Sequence, residues 1–314
     1  MYKICIIGIY FGKFPSYFNL WLTSCAYNNS IDFLVITDQY IDNLPANVKV
    51  INMSFYDFRN LVQSKFDFKI SLERPYKICD FRPAFGIICD NFLHGYDFWG
   101  HCDFDMIFGD LRKFLTEDIL NSYDKILTLG HLSLYRNTRE NNNRFKLKGS
   151  LVGDYKKVFA TDKGFAFDET NGIYQIYMYN NIPVYDKRIF ADISSIYKRF
   201  RLAQNDVNYK YQVFSFNNGK VFREYLFNNK YYKDEFIYIH IKKPKDLKIN
   251  FDYKSINNYY ITNTGFYPKL NDTQLQDIKK YNNYPGILYE IYENMRFIIN
   301  RKIRNFTKKV RKRK

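Results

Sequence analysis

The 314-residue chain has no apolar run near the roughly 20 residues that a bilayer-crossing helix needs, which excludes a membrane-spanning body. Its first residues, MYKICIIGIYFG, lack the long apolar region and small-residue cleavage site of a secretory signal, and they read as a first β-strand. Cysteine is sparse and unpatterned: Cys5, Cys25, Cys79, Cys89 and Cys102 are odd in number, contain no C-x-x-C and sit mostly within apolar runs. That argues against a disulfide framework and for reduced core thiols in a cytosolic protein. There is no internal repeat, and the body carries no recognised RNA- or DNA-binding motif. Together these absences place a folded body on the cytoplasmic side.

Hydrophobic residues make up 46% of the chain, enough for a sizeable core and against wholesale disorder. Aromatics reach 20%, with 30 Tyr and 30 Phe, alongside abundant Asn, Lys and Ile. Codon bias in an AT-rich genome accounts for most of this; a sugar-binding surface would draw on the same residues. The net charge of +16 is local rather than general. Residues 295–314 hold ten basic side chains and no acidic one, and removing those ten leaves +6.

Short β-branched runs at 3–9, 31–38 and 48–54 alternate with segments of helical spacing, such as Phe18, Trp21, Leu22 and Cys25. The alternation predicts an α/β fold: a Rossmann-type, mostly parallel sheet flanked by helices. Residues 74–93 read as helix, kinked or broken at Pro83, and 96–105 as a strand running into acidic residues. Residues 123–137 read as one further strand, 139–149 as a mobile basic loop, 165–181 as an acidic opening to a helix, and 182–195 as a late strand. Residues 223–244 resemble a hairpin ending at His240, followed by a polar, Tyr- and Asn-rich stretch over 250–290.

The acidic pair Asp103-Phe104-Asp105 stops the strand at 96–105. In extended chain, residues two apart point to one side, so both carboxylates could share a divalent cation placed on a diphosphate. Ligands of open parallel sheets bind beyond the carboxyl ends of strands, which is where this pair falls. A lone D-x-D is common in solvated loops. Here apolar residues flank it on both sides (Phe98, Trp99 and Gly100 before, Met106, Ile107 and Phe108 after), and two carboxylates so enclosed call for a metal or a cation. An exposed turn between core segments is the alternative.

Three strings, YFGKFPSYFNLWLTSCAYN (10–28), RPYKICDFRPAFG (74–86) and YDFWGHCDFDMIFGDLRKF (96–114), resemble bacterial capsular and lipopolysaccharide glycosyltransferases of GT-A-like fold, many of them known only as domains of unknown function. The resemblance covers about residues 5 to 140, weakens to about 245 and leaves the tail outside. It implies a UDP-sugar donor of galactose or glucose type, Mn²⁺ or Mg²⁺, and transfer to a glycan or lipid-linked acceptor. It implies the metal-binding role for Asp103 and Asp105, a third metal ligand at His240, and a catalytic carboxylate at Asp168 or Glu169. A glycine-rich loop before the acidic helix is missing, although Gly130-His131 at a strand exit could serve.

Each of these residues also has a plainer reading. His240 sits in an aromatic strand where a hydrogen-bonded core histidine is common, and Asp168-Glu169 would suit a helix N-terminus for dipole reasons alone. Lys77, Asp80 and Arg82 are either donor contacts, Asp80 foremost, or a salt-bridged helix face. Asp38 would meet the nucleoside at a strand exit or simply make a turn, and His131 is an acceptor-site residue or a strand-end cap. His94 and His101 receive no role.

In the tail, Met295, Ile299, Ile303, Phe306 and Val310 recur on one helical face among the basic residues, which predicts an amphipathic basic helix on an anionic membrane. The expected organisation is therefore a catalytic domain over 1–245, an extension packed on it over 246–290, and a membrane-associating tail over 291–314, with the enzyme peripheral on the inner face of the plasma membrane. Nucleic acid is not an expected partner. The competing classes are a basic nucleic-acid-binding protein, a non-catalytic glycan-binding protein of the same fold, and a nucleotidyltransferase, which would release pyrophosphate rather than UDP.

Overall fold

The computed structural model describes residues 1–195, 197, 199–203, 207–242, 246–271 and 275–282, and near the C-terminus 288, 291–292, 295–296 and 299. The expectation of a basic amphipathic helix falls almost wholly outside these residues. No helix among the described residues is long and apolar enough to cross a membrane.

The strands, in chain order, are β1 Ile4–Tyr10, β2 Asp32–Thr37, β3 Val48–Asn52, β4 Phe98–Cys102, β5 Met106–Phe108, β6 Lys125–Leu129, β7 Leu132–Arg136, β8 Val184–Tyr185, β9 Ala191–Asp192, β10 Tyr211–Asn217, β11 Lys220–Phe227, β12 Lys230–Phe236, β13 Tyr238–His240, β14 Asn258–Thr262 and β15 Gly265–Pro268. The chain divides into two compact units. One comprises residues 1–14, 22–104 and 111–189; the other comprises 15–21, 105–110 and 190 onward.

The first unit is mixed α/β, built on a seven-stranded sheet in the order β3-β2-β1-β4-β7-β6-β8. Strands β3, β2, β1 and β4 run parallel, and β7 and β6 form an antiparallel hairpin beyond β4. The parallel strands carry apolar side chains on both faces, as a sheet covered on both sides requires. One face packs on an aromatic core containing Phe58, Phe81, Phe85, Trp99, Tyr135, Phe145, Phe159 and Tyr177.

The second unit holds a five-stranded antiparallel sheet, β12-β11-β10-β14-β15, and a three-stranded sheet, β5-β13-β9. Phe214, Phe216, Ile239, Tyr259 and Phe266 lie at the centre of its core. The hairpin expected over 223–244 is shorter and shifted: it is β11 and β12, joined through Asn228 and Asn229, both at positive φ as a two-residue hairpin turn demands, and it ends at Phe236, while His240 lies on β13 in the three-stranded sheet.

Several sequence expectations need correction. Residues 123–137 are two strands, β6 and β7, reversing at Gly130-His131. The stretch 139–149 is largely not a loop: Thr138 caps a short helix at Arg139–Asn143, and a further turn follows at Arg144–Lys146. The asparagines are the cause. Asn141 is buried and donates to the carbonyls of Asp124 and Arg136, so polar composition here signals satisfied backbone rather than mobility. The late strand at 182–195 is two short pieces, β8 and β9, belonging to different sheets. Residues 74–93 form a run of single helical turns, with Pro83 in the first positions of one of them.

Candidate functional site

The strand order β3-β2-β1-β4 makes a topological switch point at β1/β4, where successive parallel strands are added on opposite sides of β1. Crevices at the carboxyl ends of such strands receive ligands. Two sequence-predicted residues, Asp38 and Asp103, lie at those ends, and a glycine that the sequence did not single out lies beside them. Gly12 follows β1 at φ +98, a backbone conformation open to glycine. Its N–H donates to Asp38, which follows β2, at 3.0 Å. Asp103 follows β4 directly, and its N–H donates to the carbonyl of His131 at 3.0 Å. The Asp38 carboxyl is held below its ordinary range by hydrogen bonds from Gln39 and from the Gly12 backbone.

The D-x-D tripeptide is not extended chain, as alternation supposed, but a bend between β4 and β5. Phe104 pins it. Its ring lies 5.1 Å from that of Phe14 and 5.5 Å from that of Tyr10, and a Cβ on Gly8 would come within 2.4 Å of it, so Gly8 must be glycine. The chain passes from the first unit to the second between Phe104 and Asp105.

In the first unit Asp103 is bound by Arg82, whose guanidinium also donates to Asp168 at 2.9 Å and to the carbonyl of Gly130 at 2.8 Å. Arg82 was the lesser candidate of its segment, yet it joins two predicted carboxylates 65 residues apart in the chain. Gly130 is needed as well: a Cβ there would lie 2.4 Å from the Asp168 carboxylate. Asp168 and Glu169 lie in a turn before Gly172 and the helix Ile173–Tyr179, not in that helix's first turn, so the dipole explanation loses its geometry. Burial pushes the Asp168 carboxyl up to about 7, with Arg82 pulling against it.

Lys77 and Asp80 are fully occupied within the protein. The Lys77 ammonium donates to Asp80 at 2.8 Å and to the carbonyls of Val158 at 2.8 Å and Lys163 at 2.7 Å. The Asp80 carboxylate accepts from the N–H groups of Phe165 at 3.0 Å and Phe167 at 2.9 Å. The pair ties the helical turns at 75–81 to the segment leading into Asp168. A role in holding that segment accounts for all of these bonds. Lys125, which the sequence did not single out, is also buried here. It donates to the carbonyl of Leu127 at 2.8 Å, and burial lowers its pKa to about 7 against the pull of Asp168 and Glu169.

In the second unit Asp105, just before β5, meets His240 at the end of β13: the imidazole Nε2 lies 3.3 Å from the carboxylate. Backbone pairing sets this approach, with His240 opposite Met106 and the Ile241 N–H donating to the Asp105 carbonyl at 2.7 Å. The other ring nitrogen, Nδ1, lies 2.9 Å from Asp192 on β9, and Lys242 donates to the second Asp192 oxygen at 2.6 Å. Burial would raise the Asp192 carboxyl, but His240 and Lys242 hold it below its ordinary value. A carboxylate oxygen and an imidazole nitrogen at this separation form a donor set suited to a divalent cation such as Mn²⁺. Asp192 and Lys242 were missed in the sequence. The available signal was a charge inside the apolar run Phe190-Ala191-Asp192-Ile193, the same signal that marked Asp103.

A family model settles where the chain belongs: its match runs over residues 6–270. The protein is a member of DUF6625, a family of unknown function. No curated protein matches this family member. Among solved structures it is similar to the crystal structure of the galactosyltransferase LgtC in complex with donor and acceptor sugar analogs, at 10% identity and a TM-score of 0.38, covering 60% of this chain and 75% of that one.

Proposed function

We propose that this DUF6625 protein is a metal-dependent glycosyltransferase of GT-A type, taking a UDP-sugar of galactose or glucose type and a glycan or lipid-linked acceptor. The observation that carries the reading is the position of Asp103 at the carboxyl end of β4, on the switch point of a 3-2-1-4 parallel sheet, with Asp38 and Gly12 at the neighbouring strand ends.

In this reading Asp105 and the His240 imidazole would hold Mn²⁺ or Mg²⁺. The bound cation supplies Lewis-acid neutralisation of the leaving UDP. Asp38 and the Gly12 backbone receive the nucleoside. Arg82 orients the sugar between the two carboxylates it binds. The bond from the anomeric carbon to the diphosphate oxygen breaks, and the acceptor oxygen takes its place. Asp168, with a pKa near 7, exchanges its proton at neutral pH, which suits a group receiving the acceptor hydroxyl's proton; Glu169 stands beside it. The ten basic residues of 295–314, each worth about 1 kcal/mol at an anionic surface, support placement on the inner leaflet, where a lipid-linked acceptor would lie.

Calorimetric titration of UDP into the full chain tests this. With Mn²⁺ the wild type should bind UDP, and EDTA or Asp105→Ala should remove that binding. Absence of UDP binding with Mn²⁺ present would overturn the reading.

A further inference from the structure

Asp192 does not belong to the ligand set proposed above, yet its geometry is directed at it. It lies on β9, parallel to β13, with His240 as its cross-strand partner. Its backbone is fixed on both sides: the Ile193 N–H donates to the His240 carbonyl at 2.9 Å, and the Ala203 N–H donates to the Asp192 carbonyl at 2.7 Å. Its side chain is 1% exposed, against 16% for Asp105. One Asp192 oxygen meets Nδ1 of His240 and the other is taken by Lys242. The imidazole is therefore held from behind by a buried carboxylate engaged at both oxygens, while its Nε2 side faces the more accessible Asp105.

We propose that Asp192 is the positioning residue that makes His240 a metal ligand. Resting on the metal-dependent reading, the inference assigns the proton of the metal-loaded imidazole to Nδ1, where Asp192 accepts it, and the metal bond to Nε2. A carboxylate behind a ligating histidine fixes the tautomer and ring orientation and raises the basicity of the ligating nitrogen. Lys242 completes the arrangement. By engaging the second Asp192 oxygen it fixes the carboxylate's rotation, so that Asp192 serves the ring rather than entering the coordination sphere. A salt bridge that merely tied β9 to β13 would not require that the third group, Asp105, approach the opposite nitrogen of the same ring.

The test measures Mn²⁺ binding to the full chain by EPR, comparing wild type, Asp192→Asn and His240→Gln, with thermal melts to confirm folding. Pulsed EPR reads the coupling of Mn²⁺ to imidazole nitrogen directly. The expected result is nitrogen coupling in wild type, its loss in His240→Gln, and Mn²⁺ affinity about 10- to 100-fold weaker with diminished coupling in Asp192→Asn. Wild-type affinity and coupling in folded Asp192→Asn would overturn the inference and leave the metal reading standing. A wild type that binds no Mn²⁺ would overturn both. If Asp192→Asn fails to fold, the ¹⁵N spectrum of Cd²⁺-loaded wild type decides: Nδ1 protonated with Cd²⁺ on Nε2 supports the inference, and the reverse sinks it.

Discussion

Two ion-paired groups leave the same short stretch of chain and have different chemistry. Lys77 and Asp80 are closed: the ammonium spends its three donors on Asp80 and two carbonyls, and the carboxylate accepts two backbone N–H groups. Arg82, two residues on, is shared by two carboxylates from distant parts of the first unit, one of which, Asp103, keeps 27% of its side chain exposed. A closed pair has no capacity left for a ligand and must be judged as structure. A guanidinium divided between carboxylates at a strand end retains capacity to reorganise, and carboxylates crowded there cost stability unless a ligand uses them.

The largest expected effect breaks the closed pair. Asp80→Asn strands the Lys77 ammonium, buried to 0% exposure, without its counter-charge. Removing one partner of such a pair costs about 3–5 kcal/mol. Urea unfolding should show that loss, and whatever fraction remains folded should still bind UDP with Mn²⁺. Intact stability in Asp80→Asn, with UDP affinity lost, would invert the comparison and make Asp80 the donor contact that the sequence favoured.

Arg82→Gln should act the other way. Asp168 already titrates near 7 with the guanidinium beside it; without it the acid stays protonated at neutral pH, and the carboxylate that loses its counter-charge is Asp103, which water reaches. Stability should therefore fall by less than in Asp80→Asn. Donor turnover, measured as UDP release, should fall about 10²- to 10³-fold, the scale for removing one preorganised donor from a reacting centre. Equal stability losses in the two variants would erase the distinction between closed and shared pairs.

How legible was this in the sequence? The parallel half of the sheet was, because β1, β2 and β3 are short, β-branched runs bounded by polar turns. Asp103 and Asp105 stood out as charges inside apolar sequence. What could not be read was which polar residues find each other. Lys77, Asp80 and Arg82 look alike along one segment, and only the fold brings residues 158–168 against them. Asp192 lies 48 residues before His240, and strand pairing that the intervening polar sequence hides makes them neighbours. The misreading of 139–149 has the same origin: asparagines that bond to backbone in the fold look like solvated loop in the sequence.

Lys125 offers the smallest effect and the finest test, because it is a third buried cation of the same unit, neither closed nor shared. Its ammonium donates to the carbonyl of Leu127, which a backbone φ of 67 turns toward it at the bulge in β6, and it lies 4.4 Å from the centre of the Tyr135 ring. Burial lowers its pKa from 10.5 to about 7 despite Asp168 and Glu169. Between those two values the unfolded chain carries a proton on this amine that the folded chain does not. Folding stability should therefore rise with pH across that window, by up to about 1.4 kcal/mol per pH unit from this one group. Below pH 7 both states are protonated and this contribution is flat. Lys125→Met removes the group, so the wild-type-minus-variant stability difference, from urea unfolding at pH 7.5 and 9.5, should shift in favour of wild type as pH rises. A difference independent of pH would mean that Lys125 keeps its charge in the fold, and that the carboxylates at 168 and 169 hold it as a third ion pair rather than leaving it neutral behind them.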